Sequence, residues 1–522
     1  MKAFTAAYFL SGAALAYADF TYKSRPDLAP PKLNITIPCS GSSCGDGYIF
    51  TSPFTGESPA PKSLQEKPIQ PGNYILASTG DLVWSGFGYY SGWNANFQRG
   101  TYKGKDVLFA FEGLHDGPHA HGLGHHTILD DHYETVRELR AGRHYISDKH
   151  EFIINDDGKS ALIQIWQPVP RNLSAYGGSD DHVWIVDAIF QDLDIETGKV
   201  LFEWHSLDHI SPKDAVLPLL EGQAGNGLNS SVAWDYFHIN SIEKGSDGHY
   251  LLSGRHVSTV YKINGTDGSI IWQLGGNHTD FALGKDVEFG YQHHARYMPG
   301  TNESFTYLSL FDNSFYGSEA TGNGSNITTY PYSRGKYLAI DHEAKKANLV
   351  QAFHPPNNAI LTTSQGSLQT LANGNVFINW GSEGQITEYL PNGTIIFHAH
   401  LDSGELTQHV QSYRGFRYHW TGYSPETPAL VARKNGNIVQ LYVSWNGDTR
   451  TKYWRFAWNI GNKNSNEPRE ILHTVPKSGF ETSLNVTLTS ASDSVSTIRA
   501  VALDADGVEI ARSDTVGIVT TP

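Results

Sequence analysis

Charge is scarce in this chain. Of its 522 residues only 17% are Asp, Glu, Lys or Arg, and the 53 acidic residues outnumber the 38 basic ones. A net charge of −15 argues against nucleic acid and anionic membrane as partners, because both are held by basic patches. Any anionic ligand has to be captured by a local cationic site against that field. Cysteine is nearly absent: Cys39 and Cys44 stand alone, in Cys-Ser-Gly-Ser-Ser-Cys. Two thiols cannot build a Cys-rich zinc site, and the spacing is not that of a C-x-x-C redox pair. In an oxidising compartment the simplest outcome is a local disulfide. Helical periodicity is nearly missing, with one short candidate at 211–220. No apolar run beyond the N-terminus reaches the ~18 residues needed to span a bilayer. No Gly-rich lysine loop of Walker type is present, so a nucleotide-linked donor is not suggested.

What is abundant is glycine, 52 residues, and aromatic side chains, 12% of the chain. Both suit an all-β protein with many tight turns. Lys2, the small-apolar run 3–16 and Ala16-Tyr17-Ala18 read as a secretory signal peptide over 1–18, with Asp19 as the mature N-terminus. This predicts a soluble, secreted product. Asn-x-Ser/Thr sequons begin at Asn34, Asn172, Asn229, Asn264, Asn277, Asn302, Asn323, Asn326, Asn392 and Asn485. Their density predicts N-linked glycans on water-facing turns.

Residues 19–70, rich in Pro, Ser and Gly, read as irregular with one or two edge strands. From Gly72 short strands alternate with turns. A hairpin unit recurs at 194–204, 264–272 and 390–397, each with Asn-Gly or Asp-Gly or a lone Gly at its tip, and a Gly-less variant lies at 340–353. Four strands per unit, at intervals of roughly forty to eighty residues, predict a β-propeller over 71–414, of six blades. Stacked β-sandwiches are the alternative. After about Gly415, period-two strands with turns at Asn446-Gly447 and Asp506-Gly507 predict an immunoglobulin-like β-sandwich over 415–522, packed on the propeller because no Gly/Ser linker intervenes.

Two polar constellations stand out. The first runs from His115 to His126 and includes His119, His121 and His125. It reads as a Gly-rich loop of solvated imidazoles or, alternatively, as a zinc or copper site or catalytic group; no H-E-x-x-H motif accompanies it. The second spans 235–296. His238 and Asn240, two apart, share one face of a strand, and Arg255 follows on the next strand. An imidazole, a carboxamide and a guanidinium on one face form a donor array for a tetrahedral oxyanion such as sulfate or phosphate. The structural alternative pairs Arg255 with a carboxylate and His238 with a backbone carbonyl.

Several stretches together resemble the arylsulfotransferase family, and more closely its secreted fungal branch. They are Gly124-His125 before Thr127-Ile128-Leu129-Asp130-Asp131, Asp235-Tyr236-Phe237-His238-Ile239-Asn240-Ser241, Ser253-Gly254-Arg255-His256, Leu274-Gly275-Gly276 and Gln292-His293-His294-Ala295-Arg296. The resemblance covers roughly 70–510. It implies a β-propeller that moves a sulfuryl group from one phenol ester to another phenol, with no cofactor and no nucleotide donor, through a transient sulfohistidine. It implies His293 as nucleophile, His238 and Asn240 as the sulfate-binding pair, Arg255 as the anion-binding arginine and His125 as the remaining active-site histidine, with His126 one residue away. Where the fungal pattern commonly has Asp, this chain has His294, which becomes the alternative nucleophile. Phe87 and Trp93, in an aromatic loop, are candidates to stack the substrate ring. Three other readings stay open: a propeller-scaffold cyclase, lyase or hydrolase acting on an aromatic natural product, a metal-dependent enzyme built on the first His cluster, and a non-catalytic secreted binding propeller.

Overall fold

The computed structural model describes residues 20–41, 43–55, 70, 72–116, 121–219, 224–316, 327–403, 410–460, 470–488 and 495–520. The signal-peptide stretch, His119, Asn323 and Asn326 lie outside them. The described residues are overwhelmingly strand and turn, as the composition predicts. The 211–220 helix does not form. Ser211 caps a single 3-10 turn, Pro212–Asp214, and Pro218 could not donate to a longer helix. No helix among the described residues is long and apolar enough to cross a membrane.

Six antiparallel units follow one another. The inner strands are Trp93–Tyr102, Ser147–Ile154, Ile239–Lys244, His293–Tyr297, Ser367–Thr370 and Val410–Tyr418. Each touches the next, and the last closes on the first, so the six form a ring. Three more strands stack outward in most units; the unit of Ile239–Lys244 continues through Tyr250–Gly254, Thr259–Ile263 and Ile270–Gly275. Two units share one sheet, joined where Gly124 pairs with Ser147.

Ring closure corrects two sequence-derived boundaries. Tyr48–Thr55, inside the supposedly irregular 19–70 segment, is a strand between Val410–Tyr418 and Tyr74–Leu76. The 414/415 division falls within Val410–Tyr418. One unit is thus made from both ends of the ring, a long-range pairing that local pattern does not encode. Asn34–Ile37 is an outer edge strand, against Ile395–His400.

Turn chemistry acts where expected. Asp194 Oδ1 accepts from Thr197 N at 2.7 Å, and Gly198 takes φ 68°. Between units lie apolar layers, for example Trp204, Phe237, Tyr250 and Tyr261, all nearly solvent-free. Each such side chain buried contributes about 1.5–3 kcal/mol. On the ring axis Glu151, fully buried, accepts from Arg296 Nη2 at 2.6 Å and Arg414 Nη1 at 2.8 Å. Arg414 also donates to Asn96 Oδ1 and to the Asn240 carbonyl. Five of the six inner strands are tied together by this cluster.

Residues after the ring form two sheets, one of Glu481–Thr487, Ile438–Ser444, Ala429–Asn435 and Val519–Thr520, the other centred on Tyr453–Ile460 and Val495–Leu503. They share a core that includes Leu441, Trp454, Phe456 and Ala500. Asn446 bonds both backbone groups of Ser85, and Tyr133 Oη donates to the Gly447 carbonyl, which docks this unit on the ring. Cys39 and Cys44 form a disulfide. Asn34, Asn172, Asn229, Asn277, Asn302, Asn392 and Asn485 are exposed, and Asn264 is half-buried.

Candidate active site

The ring geometry chooses which polar residues meet. Inner strands all begin at one end of the axis, and the turns joining second to third strands of each unit open at the same end. Residues at strand starts (Asp148, His150, His238, His293, Tyr413) and in those turns (Arg255, His256, Asn313) therefore converge there, from positions far apart in sequence.

His238 sits just before its strand with φ 54°, a left-handed conformation that costs about 1–3 kcal/mol and is characteristic of functional sites. The bend lets Asp235 accept from both the His238 backbone N–H, at 3.1 Å, and Nδ1, at 2.5 Å. His238 Nε2 faces His150 Nε2 at 3.1 Å, and His150 Nδ1 hydrogen-bonds Asp148. Burial pushes the pKa of His238 down to about 3 and that of His150 to about 4. Asp148 and Asp235 stay well below the usual carboxylate range. Burial acts against this, but the imidazoles around them, chiefly His150 and His238, outweigh it.

The Arg255-His256 turn folds back over the same strand start, since Arg255 N donates to the His238 carbonyl. His256 Nδ1 donates to the Asp235 carbonyl at 2.5 Å, leaving Nε2 to accept from Arg255 Nη1 at 3.1 Å. Arg255 Nη2 donates to the Thr363 carbonyl, and the guanidinium lies 4.3 Å from the Tyr291 ring centre.

His293 is 1% exposed. Its Nδ1 lies 2.7 Å from Asn313 Oδ1 and 3.1 Å from the Tyr291 carbonyl. Asn313 Nδ2 donates to the Thr362 and Gln365 carbonyls, which fixes its Oδ1 towards the imidazole. Both groups facing Nδ1 are acceptors, so Nδ1 carries the hydrogen and Nε2 the lone pair. Burial and then the positive charge of Arg255 hold the ring neutral, with a pKa well below the ordinary imidazole value. Tyr413, with its hydroxyl buried, stands edge-on to His150 and His293.

Asn240 is buried beside these groups, but its Nδ2 donates to the Gln292 carbonyl at 2.6 Å, so it braces the strand that carries His293. The doublet is resolved by a break in the strand: His294 takes φ 53° where the register shifts between His293 and Arg296. His294 turns away from the axis, its Nδ1 donating to the Leu368 carbonyl at 2.9 Å and its ring near Phe416.

His125 and His126 are placed elsewhere. His125 is 3.5 Å from Glu112 and has no recorded contact with His238, Arg255 or His293. His126 is a core ring stacked on Phe152 at 4.4 Å. Adjacent residues on one strand face opposite ways, so His126 turns into the core, and His125 lies opposite Glu112 on the neighbouring strand. His121, further along that strand towards the turn, reaches the cluster instead, with Nε2 3.3 Å from Asp235 Oδ2. Trp93 stacks on His115 at 4.4 Å, with Lys149 Nζ 5.1 Å from its ring and 5.8 Å from that of Tyr413. Phe87 is 43% exposed and touches none of the cluster residues among the described contacts.

Sequence reading missed Asp148, His150, Asn313 and Tyr413 and undervalued His121. Asp148-Lys149-His150 carried a usable signal, the same two-residue spacing as His238 and Asn240. Asn313 and Tyr413 carried none.

The family model for arylsulfotransferase (ASST) matches residues 99–402, more than half of the chain and all of the cluster but Tyr413. The chain belongs to the arylsulfotransferase family. No curated protein matches this arylsulfotransferase-family chain. Solved structures similar to it include a protein of unknown function from Bacteroides caccae, at 10% identity and TM-score 0.38, covering 71% of this chain and 98% of that one. Kuenenia stuttgartiensis hydrazine synthase is 10% identical with TM-score 0.32, covering 61% and 70%. The GH43 protein BlXynB from Bacillus licheniformis is 9% identical with TM-score 0.31, covering 82% and 90%. Likeness at this level carries no argument about activity.

Proposed function

We propose that this family member is a secreted, glycosylated six-bladed β-propeller enzyme with a C-terminal immunoglobulin-like sandwich, and that it transfers a sulfuryl group from an aryl sulfate to a phenol without a nucleotide donor. The closed ring of six inner strands supports the propeller reading. The exposed sequons and the Cys39–Cys44 disulfide support secretion. The observation that carries the chemistry is His293, a neutral imidazole with Nδ1 locked by Asn313 and Nε2 left as a nucleophile beside Arg255.

In the first half-reaction His293 Nε2 attacks sulfur. The N–S bond forms as the S–O(aryl) bond breaks, and the phenolate leaves with the electron pair. The ring gains positive charge, which the Asn313 oxygen and Tyr291 carbonyl stabilise through Nδ1–H. Arg255 and the Tyr413 hydroxyl supply donors for the sulfuryl oxygens, and Lys149 beside Trp93 receives the phenolate. In the second half the acceptor phenol oxygen attacks sulfur, the N–S bond breaks with its electron pair returning to His293 Nε2, and the phenol proton passes through solvent to the phenolate released in the first half. His238 in its neutral form has Nδ1–H committed to Asp235, so it orients the site without donating to the sulfuryl group.

Incubation with an aryl sulfate followed by intact-protein mass spectrometry tests this. One sulfuryl adduct is expected, mapping to His293 and absent in His293→Ala. No adduct, or one mapping to His294, refutes the assignment.

A further inference from the structure

Three observations around His121 are not used by sulfuryl transfer. The first is the contact between His150 and His238. Asp148 faces Nδ1 of one ring and Asp235 faces Nδ1 of the other. Carboxylates only accept, so both hydrogens sit on Nδ1, and the neutral rings point two bare lone pairs at each other across 3.1 Å. Two such lone pairs repel unless something positive lies at them. Two imidazole nitrogens bound to one tetrahedral zinc ion, with bonds of about 2.0–2.1 Å, stand roughly 3.3 Å apart.

The second is His121 itself. It is 2% exposed, and its two ring nitrogens face the two carboxylates. Its Nε2 lies 3.3 Å from Asp235 Oδ2 and its Nδ1 3.7 Å from Asp148 Oδ2. Two ligand triads share this residue, His121–Asp148–His150 and His121–Asp235–His238, and within each the ligand atoms lie within 4.8 Å of one another.

The third is charge. Asp148 and Asp235 are buried, and their recorded partners are backbone N–H groups and imidazoles. No arginine or lysine pairs with either among the described contacts. Two buried carboxylates whose only side-chain partners are imidazoles are costly while those rings stay neutral, and one divalent ion balances both.

We propose that His121, His150 and His238, with Asp148 and Asp235, bind one divalent first-row transition-metal ion at the mouth of the ring. Imidazoles with carboxylates behind them suit zinc, copper, iron or nickel rather than magnesium or calcium. An ion there would add a Lewis acid for an anionic substrate oxygen. The site does not rest on sulfuryl transfer, since metal content is measured independently of it.

The test is elemental analysis of the tag-free full chain as isolated, then Zn2+ titration calorimetry after chelation. About one transition-metal ion per chain is expected, or one Zn2+ site in the chelated protein. His150→Ala and His238→Ala should each weaken Zn2+ binding about 10- to 100-fold. His132→Ala, in the half-exposed Asp130–Asp131–His132 group, should leave it unchanged. Because the buried variants can misfold, the wild-type melting temperature is also compared with and without chelator, and a fall on chelation is expected. Absence of both resident metal and Zn2+ binding overturns the proposal, as does binding undiminished in His150→Ala and His238→Ala. A sulfuryl adduct with neither resident metal nor Zn2+ binding would overturn the metal site and leave sulfuryl transfer standing; bound metal without an adduct would do the reverse.

Discussion

Glu151→Gln tests the closed axis. Glu151 is fully buried and accepts from Arg296 Nη2 at 2.6 Å, Arg414 Nη1 at 2.8 Å, Arg414 Nη2 at 3.3 Å and Ile242 N at 3.1 Å. Glutamine keeps the shape but leaves two guanidinium groups in a dry channel with their shared anion gone. Removing one partner of a buried ion pair costs about 3–5 kcal/mol. At about 2–4 °C per kcal/mol, the ring should melt about 10 °C lower. The loss is pH-dependent with a definite sign. Burial acts to raise the Glu151 pKa, but Arg296 and Arg414 outweigh it and hold it below the ordinary value. Its contribution is therefore present above the unfolded carboxyl pKa and lost as pH falls through the folded one, so wild type and variant converge in acid. Scanning calorimetry at pH 7 with urea unfolding reads the difference, and the double variant Glu151→Gln/Arg296→Met, with one buried cation fewer, should recover part of it. A loss under about 1 kcal/mol at pH 7 would mean that water reaches these groups, and the closed-ring argument would fail.

Two further variants separate the nucleophile from the scaffold. Asn313→Leu removes the acceptor that fixes the His293 tautomer, a hydrogen bond to a ring that becomes charged and so worth about 1.5–3 kcal/mol; sulfo-enzyme formation in stopped flow should slow about 10- to 100-fold, and an unchanged burst rate refutes the role. His126→Phe replaces a buried imidazole whose pKa burial pushes down to about 3. The unfolded chain takes up that proton below about pH 6.5 and the folded one does not, so wild-type stability falls with pH by up to about 1.4 kcal/mol per unit. The variant should lose about 2 kcal/mol less than wild type between pH 6.5 and 5 in urea unfolding, and equal acid sensitivity refutes the reasoning.

How much was legible follows from what is local. Period-two patterning and Asp-Gly or Asn-Gly turns specify hairpins such as 194–204 from a dozen residues. The nearness of Arg255 to His238 was equally readable, because one hairpin joins them. Asn313 and Tyr413 were not readable: Tyr413 reaches His293 across a unit boundary, Asn313 comes from the far end of the neighbouring strand of the same unit, and neither carries a motif of its own. His125 was chosen by motif, but it shares a strand face with His121, and its position further along the strand leaves it against Glu112 while His121 meets Asp235.

The sequence by itself determined the all-β class, the hairpins, the family and the strand starts that carry His238 and His293, since each depends on residues close together in the chain. Tertiary structure alone decided the pairing of Tyr48–Thr55 with Val410–Tyr418, the choice of His293 over His294 at the axis, and the meeting of His121, His150, Asn313 and Tyr413. Those depend on ring closure and on the course of each strand at its end. Both are fixed by packing between units rather than by any local run of residues.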